Sequence, residues 1–258
     1  MNSVIFRRHK DAAEPEAFDG PDDDELDDEL DDDEFDDDDD DSGERDDYDG
    51  DDGEDAPPRR EPADEWEELD FAQDWRADGP FDIDEVDFDA DDIARVDLGA
   101  LIVTPEPDLK IQLVVDQKTK QADTLIVAAG DSALQVSVLA APGTEGFVAE
   151  WRHHLLEETA QAGGEAQIAE GPFGTELRRV MPVTGPDGQQ AQLKLRDWLV
   201  HGPRWLLHAR LLGKAALDTA DRGPAAELGE FFRNLIVRRG DVAQVPGTPV
   251  ALHPPEQR

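Results

Sequence analysis

The chain has 258 residues, a formal net charge of -41 and no cysteine. The absence of cysteine excludes disulfides, thiol catalysis and Cys-ligated zinc or iron–sulfur sites. The charge is unevenly distributed: residues 11–92 hold 44 acidic and 4 basic side chains, whereas residues 93–258 hold 21 acidic and 17 basic ones. The sequence therefore predicts an acidic N-terminal region attached to one near-neutral domain.

The first segment, residues 1–63, contains an almost continuous acidic run. Positions 22–41 are Asp or Glu except at Leu26, Leu30 and Phe35. Adjacent like charges repel, and three apolar side chains bury too little surface to offset the entropy cost of ordering the backbone. We therefore expect residues 1–63 to form a disordered acidic tail.

Residues 64–92 are also acidic, but aromatic and aliphatic side chains recur every few positions. Aromatic side chains are costly to leave exposed, so one interpretation is an arm that packs on the domain. The alternative is a short motif that captures a partner, with a helix from Trp66 to Trp75. In that case the candidate partner-binding residues are Trp66, Phe71, Trp75 and Phe81.

From residue 93 onward the chain alternates between strand-like segments and turn signals. The predicted strands are 94–103, 108–116, 123–129, 133–141, 165–171, 175–183, 190–200 and 204–212. A helix with its N-cap at Thr144 follows the fourth strand, and a second helix covers 224–239, where Gly240 ends it.

Short turns rich in Gly, Pro and Asp separate most consecutive strands, which favours antiparallel pairing. The prediction is an α+β domain over residues 93–240, with a mainly antiparallel sheet covered by two helices in the order ββββαββββα. Residues 241–258 are predicted to be an extended C-terminal tail.

The segments GPFDIDEVD, ARVDLGALIV and HGPRWLLHARLLGKAA, which lie between Gly79 and about Val250, resemble an uncharacterised actinobacterial family catalogued as domain of unknown function 3710. The resemblance implies a bacterial, cytoplasmic protein with a short basic start and an acidic low-complexity tail. It implies no reaction, cofactor or catalytic residue.

Candidate catalytic and metal-binding patterns are weak. His153 and His154 each have a glutamate four residues later, but the two pairs point in different directions on a helix, which favours ordinary surface pairing over a metal site. The sequence has no nucleophile-elbow motif and no phosphate-binding glycine loop. We expect no catalytic residue, no metal and no cofactor, and an enzyme stays an open alternative.

Residues 175–214 are net basic, with seven cations and three carboxylates. Strand alternation places Lys194, Arg196 and Trp198 on one face, and His208 and Arg210 share a face of the next strand. If these faces coincide, the sheet carries a cationic stripe that could dock an acidic segment. The candidate anion-docking face is Arg178, Lys194, Arg196, Trp198, His208 and Arg210. The alternative is a solvated face with cross-strand ion pairs.

Together these patterns favour a non-enzymatic interaction or regulatory protein, whose acidic tail and arm engage a basic surface of its own or of a basic protein partner. One alternative is an enzyme or small-ligand-binding domain with a pocket between sheet and helix. Another is an acidic mimic of nucleic acid. Direct nucleic-acid binding by the intact chain is disfavoured by charge. We expect no membrane span and a cytoplasmic location.

Overall fold

The computed structural model describes residues 63–115, 121–144, 146–185 and 187–255. The helices are α1 (Glu65–Phe71), α2 (Phe147–Gln161) and α3 (Pro224–Arg233). The strands are β1 (Phe81–Asp82), β2 (Val96–Asp97), β3 (Leu101–Val103), β4 (Lys110–Val115), β5 (Ala122–Ala129), β6 (Ser132–Ala140), β7 (Glu165–Gly171), β8 (Gly174–Thr184), β9 (Gln190–Gly202), β10 (Trp205–Gly213) and β11 (Ile236–Val237). A 3-10 turn covers Ile83–Glu85.

Seven strands form one antiparallel sheet in the order β4-β5-β6-β10-β9-β8-β7. Consecutive strands within each half are joined by hairpins, and β6 pairs with β10 at the centre, with Leu207 opposite Val138. The turns from β5 to β6 and from β7 through β10 lie at Gly or Pro residues of the sequence. Gly130, for example, has a φ of 55°, a left-handed conformation that glycine adopts without steric cost.

The helices α2 and α3 cover opposite faces of this sheet. On β10, Leu206 packs in a cluster with Phe147 and Leu155 of α2. The next residue, Leu207, packs in a larger cluster with α3 side chains such as Phe231. Because successive strand residues point to opposite faces, the sheet is the middle layer between the two helices. Burial of large aliphatic side chains, each stabilising by about 1.5–3 kcal/mol, holds the three layers together.

A second, smaller sheet has the order β1-β11-β3-β2. Strand β1 runs parallel to β11, with Phe81 opposite Ile236. The adjacent Asp82 is buried and accepts a hydrogen bond of 2.6 Å from the indole Nε1 of Trp205 in β10. The beginning of the folded domain is therefore joined to β11, the strand that follows α3, and to the central sheet.

The C-terminal segment extends the seven-stranded sheet. The amide of Gly247 donates to the carbonyl of Ala140, and the amide of Val250 donates to the carbonyl of Val138. Leu252 is buried and forms a bridge with Ala122 at the start of β5. Strand β5 does not pair with the last residues of β6. The segment predicted to be an extended tail lies beside these residues and satisfies their backbone hydrogen bonds.

The α+β class with a mainly antiparallel sheet is confirmed. Three boundaries were predicted wrongly. The first strand is two short strands separated at Gly99, which has a φ of 84°. The N-cap of α2 is Gly146 instead of Thr144. The last helix ends at Arg233, because Ile236 and Val237 pair with β3 instead.

The helix α1 adds a third helix to the two that were predicted over the sheet. The predicted disordered tail lies outside the described residues, apart from Ala63 at its end.

Candidate functional site

The residues just before the domain form a compact hook, which we define as residues 64–78. Asp64 caps α1 by accepting hydrogen bonds from the amides of Trp66 and Glu67 at 3.0 and 2.9 Å, and acidic side chains in its first turn complement the helix dipole. After α1 the chain folds back, and the indole Nε1 of Trp75 donates to the carbonyl of Leu69 at 3.0 Å. These local bonds hold the cap of α1 and the ring of Trp75 against the same short helix.

The hook is attached to the domain through the carboxylate of Asp70. Its Oδ2 accepts hydrogen bonds from Nη1 of Arg152 on α2 at 2.7 Å and from Oγ1 of Thr175 on β8 at 3.0 Å. Its Oδ1 accepts from the amide of Thr175 at 2.8 Å. The side chain of Arg152 is 4% exposed. Three donors on two elements of the domain thus converge on one carboxylate.

Gly174 shapes the same place. Its φ of 92° is a left-handed conformation, and a Cβ at this position would lie 2.8 Å from Oδ1 of Asp70 and 3.4 Å from Cδ1 of Trp75. Glycine is therefore needed both for the turn between β7 and β8 and for the close approach of the hook. We call Arg152, Gly174 and Thr175 the carboxylate seat.

A cavity of about 420 Å³ lies between the hook and the domain. Trp75, Gln73 and Phe71 line it from the hook, and Phe173 and His201 are among the residues that line it from the domain. The volume is in the range of small-molecule sites, and the lining combines three aromatic side chains with charged ones of the hook, among them Asp74 and Arg76.

The predicted partner-binding aromatics are all partly buried. Phe71 and Trp75 line the cavity, Phe81 lies in β1, and Trp66 lies on α1. The structure therefore places Phe71 and Trp75 at the cavity and Phe81 opposite Ile236, while Trp66 is partly buried on α1.

The predicted anion-docking face is divided between the two sides of the sheet. Arg178, Lys194, Arg196 and Trp198 lie on the α3 side, because Arg178 pairs with Arg196 and the others alternate along β9. His208 and Arg210 lie on the α2 side, because Arg210 is paired with Asp197 in the register of β9 and β10. A single stripe of all six residues is therefore wrong.

On the α3 side, Arg196 and Trp198 are buried. The carboxylate of Glu176 accepts hydrogen bonds from Nη2 of Arg196 at 2.6 Å, from Nε of Arg178 at 2.7 Å and from the indole of Trp198 at 3.0 Å. Asp221 holds the other side of Arg196 at 2.8 Å. Burial lowers the pKa of Arg196, but the bonds to Glu176 and Asp221 outweigh burial and raise it. The guanidinium of Arg196 is therefore used in hydrogen bonds inside the domain and does not contribute to a surface that could dock an acidic segment.

On the α2 side, Asp197 is fully buried and accepts hydrogen bonds from three side chains. It accepts hydrogen bonds from Nε2 of His208 at 2.7 Å, Nε of Arg210 at 2.9 Å and Nε of Arg179 at 2.8 Å. Burial raises the pKa of Asp197, but the hydrogen bond and charge of His208 and the charges of Arg210 and Arg179 outweigh it and lower the pKa. Cross-strand ion pairs, which were the alternative interpretation, are present, but most are buried.

A family-model comparison matches residues 79–258 to a protein family described as "Protein of unknown function (DUF3710)". The chain belongs to the DUF3710 family. No curated protein and no solved structure matches the chain. The DUF3710 match includes every residue of the carboxylate seat, whereas the hook precedes it. The seat is therefore part of the DUF3710 domain, and the segment that fills it lies before the matched span.

The histidine pairs do not come together. His153 and Glu157 form an exposed pair at 3.1 Å, while Glu158 binds Arg179. Within the described ranges, no group of three or more His, Asp or Glu side chains is placed to hold a metal ion. In the same residues, no helix combines the length and the apolar character needed to cross a membrane.

Sequence reasoning missed the seat itself. Asp70 lies 82 positions from Arg152 and 105 from Thr175, so no local spacing connects them. The available signals were Gly174 in the turn GPFG and a lone arginine, Arg152, beside the apolar face of α2.

Proposed function

We propose that this protein is a non-enzymatic interaction module that exchanges acidic segments at its carboxylate seat. In the resting chain its own hook fills the seat. In the engaged chain an acidic segment of a partner replaces the hook, and the released hook is free to bind a basic protein. The observation that supports this proposal is the convergence of Arg152 and both donors of Thr175 on the carboxylate of Asp70.

The burial of Arg152 makes the seat selective for anions. Leaving one member of a buried ion pair without its partner costs about 3–5 kcal/mol. A segment that displaces the hook must therefore bring its own carboxylate, whereas an apolar or basic segment would leave the guanidinium uncompensated. Gly174 adds a steric requirement, because it leaves space for a close approach of the carboxylate and of an aromatic ring.

The tether explains why the hook occupies the seat in the absence of a partner. Short flexible linkers give an effective concentration in the millimolar range, so even a weak hook outcompetes dilute acidic segments. A partner needs either higher affinity or a basic surface that captures the hook. The net charge of -41 favours such a basic partner and disfavours nucleic acid. The proposal places this exchange in the cytoplasm.

A peptide-competition experiment tests the exchange. The probe is a fluorescein-labelled peptide of residues 63–78, ADEWEELDFAQDWRAD, added to the full chain and followed by fluorescence anisotropy. In the Asp70→Ala chain the hook is weakened and the seat is open, so the peptide should bind at least about tenfold more tightly than to the unsubstituted chain, a difference of about 1.4 kcal/mol.

Glu68→Ala is the matched control, because Glu68 is an exposed carboxylate on the same helix. It should bind the peptide as weakly as the unsubstituted chain does. Adding Arg152→Met to Asp70→Ala should abolish binding, and circular dichroism will show that the double variant is folded. Equal affinity of all four chains for the peptide would contradict the proposal.

The cavity of about 420 Å³ favours a second candidate function, the binding of a small ligand beneath the hook. Because the hook supplies part of the wall, such a ligand would hold the hook in place and oppose exchange. A screen of small aromatic compounds by thermal shift tests this candidate. A hit should raise the melting temperature of the unsubstituted chain more than that of the Asp70→Ala chain, whereas equal shifts would count against a ligand site under the hook.

A further inference from the structure

A groove of about 340 Å³ crosses the α3 side of the sheet, at the end that α3 does not cover. Its floor is formed by strands β7, β8 and β9, and one wall is the turn after β10. The side chains that carry the argument below are Glu165, Gln167, Arg178, Val180, Lys194 and Leu217. Arg178 and Lys194 are members of the predicted anion-docking face that lie here on one side of the sheet.

The groove offers unused hydrogen-bond donors. Lys194 is exposed and lies within ion-pair distance of no described carboxylate. Arg178 uses its Nε to bind Glu176, and its side chain is 34% exposed. An ammonium and a guanidinium directed at solvent provide several donors for carboxylates. Glu165 is the acidic side chain in the lining. Of the three cations there, Arg179 is already paired with Glu158 and Asp197, so Arg178 and Lys194 are the two that face one carboxylate.

The rim of the groove is apolar. Leu217 is 60% exposed, a large fraction for a leucine in a well-packed domain, and it stands opposite the partly buried Val180. The groove therefore combines cationic donors with an apolar contact. A ligand that matches it carries carboxylates with an occasional large apolar side chain.

The chain contains such a segment in residues 22–41, where 17 of 20 side chains are carboxylates and the exceptions are Leu26, Leu30 and Phe35. The described chain begins at Ala63, so 21 residues connect this segment to the domain. Twenty-one residues span at most about 70 Å when fully extended. A domain of this size has a radius of gyration of about 16 Å and a diameter of about 40 Å, so the groove is within reach of the segment.

We propose that residues 22–41 dock in cis in the groove formed by Arg178, Lys194 and Leu217. Carboxylates bind the two cations, and one of the three apolar side chains covers Leu217. This docking does not depend on exchange at the carboxylate seat, because the groove shares no residue with it. Tethering to the domain supplies an effective concentration in the millimolar range, so weak individual contacts suffice.

The test uses a spin label on a single cysteine, since the chain has none of its own. Ser42→Cys places the label next to the acidic segment in the full-length protein. Paramagnetic broadening should reduce the backbone amide signals of Arg178, Val180 and Lys194, while the signal of Ile111 in β4, at the far edge of the sheet, stays unchanged. Raising the salt from about 0.05 M to about 0.5 M should restore the lost signals, because screening shortens the Debye length.

Lys194→Glu should abolish the broadening in the groove, and Leu217→Ser should weaken it. Lys110→Glu is the matched control, since it reverses an exposed lysine on the opposite edge strand, and it should leave the broadening unchanged. Asp70→Ala should also leave it unchanged, which separates this proposal from the exchange of the hook.

Three results would overturn the proposal. These are an absence of broadening in the groove at low salt, broadening that survives Lys194→Glu, and broadening that arises between molecules. The last is detected by mixing spin-labelled chain with isotope-labelled chain that carries no spin label.

Discussion

Replacing Glu176 with glutamine should destabilise the domain severely. The carboxylate of Glu176 is fully buried and binds Arg196, Arg178 and Trp198. Glutamine keeps the shape but removes the charge and turns an NH2 group toward these donors. Breaking a buried ion pair costs about 3–5 kcal/mol. Because Asp221 still contacts Arg196 at 2.8 Å, we expect the lower end, about 3 kcal/mol.

The measurement is urea unfolding, followed by circular dichroism and by tryptophan fluorescence, which reports on Trp198 beside the substitution. A domain of ordinary stability has about 5–15 kcal/mol, so the loss should lower the urea midpoint markedly. Glu170→Gln is the control, because Glu170 is an exposed carboxylate on the neighbouring strand β7, and it should change stability by less than about 0.5 kcal/mol. A loss below about 1 kcal/mol for Glu176→Gln would show that the fold does not depend on this pair, and would return Arg196 to the set of candidate docking residues.

Two further predictions concern Gly174 and Asp197. Gly174→Ala should displace the hook, because its Cβ would lie 2.8 Å from Asp70 Oδ1, and hydrogen exchange of the α1 amides should accelerate. Gly188→Ala is its control, since Gly188 has a similar φ of 79° with nothing within 4 Å of the added Cβ; equal exchange in both variants would argue against the steric role. The second prediction follows from the lowered pKa of Asp197 in the folded protein. A carboxyl with a lowered folded pKa stabilises the protein above its unfolded value of about 3.9 and loses that contribution as the pH falls below it. The free energy of unfolding should therefore decrease from about pH 5 downward, and less steeply in Asp197→Asn; parallel slopes for the two chains would refute this assignment.

The strands of the sheet were predictable because the residue patterns that specify them lie within short stretches of the sequence. The strands alternate apolar and polar residues or are rich in β-branched ones, and Gly- or Pro-containing turns join β5 to β6 and β7 through β10, so most strands could be predicted one by one. The failures occurred where distant pairing decides the structure. Ile236 and Val237 continue the helical pattern of α3, yet they form a strand because Leu101 and Ile102 lie beside them.

The candidate site was less predictable for the same reason. Counting charges identified a basic region over 175–214, but counting could not show that Arg196 and Glu176, 20 positions apart, neutralise each other in the interior. Alternation correctly placed Lys194, Arg196 and Trp198 on one face. It could not give the register between β9 and β10, which puts His208 and Arg210 on the other.

The bond between Asp82 and Trp205 has a consequence for the kinetics of the hook. It fixes the chain at β1, so a detached Asp70 is held by the residues between it and Gly79. Nine residues span at most about 30 Å when fully extended. The carboxylate of a detached Asp70 therefore stays within that distance of Gly79, close to the carboxylate seat. Rebinding is a first-order process whose rate does not change on dilution. The hook rebinds at a rate that does not depend on the concentration of the partner. An incoming acidic segment must therefore bind the carboxylate seat during the time for which one opening lasts.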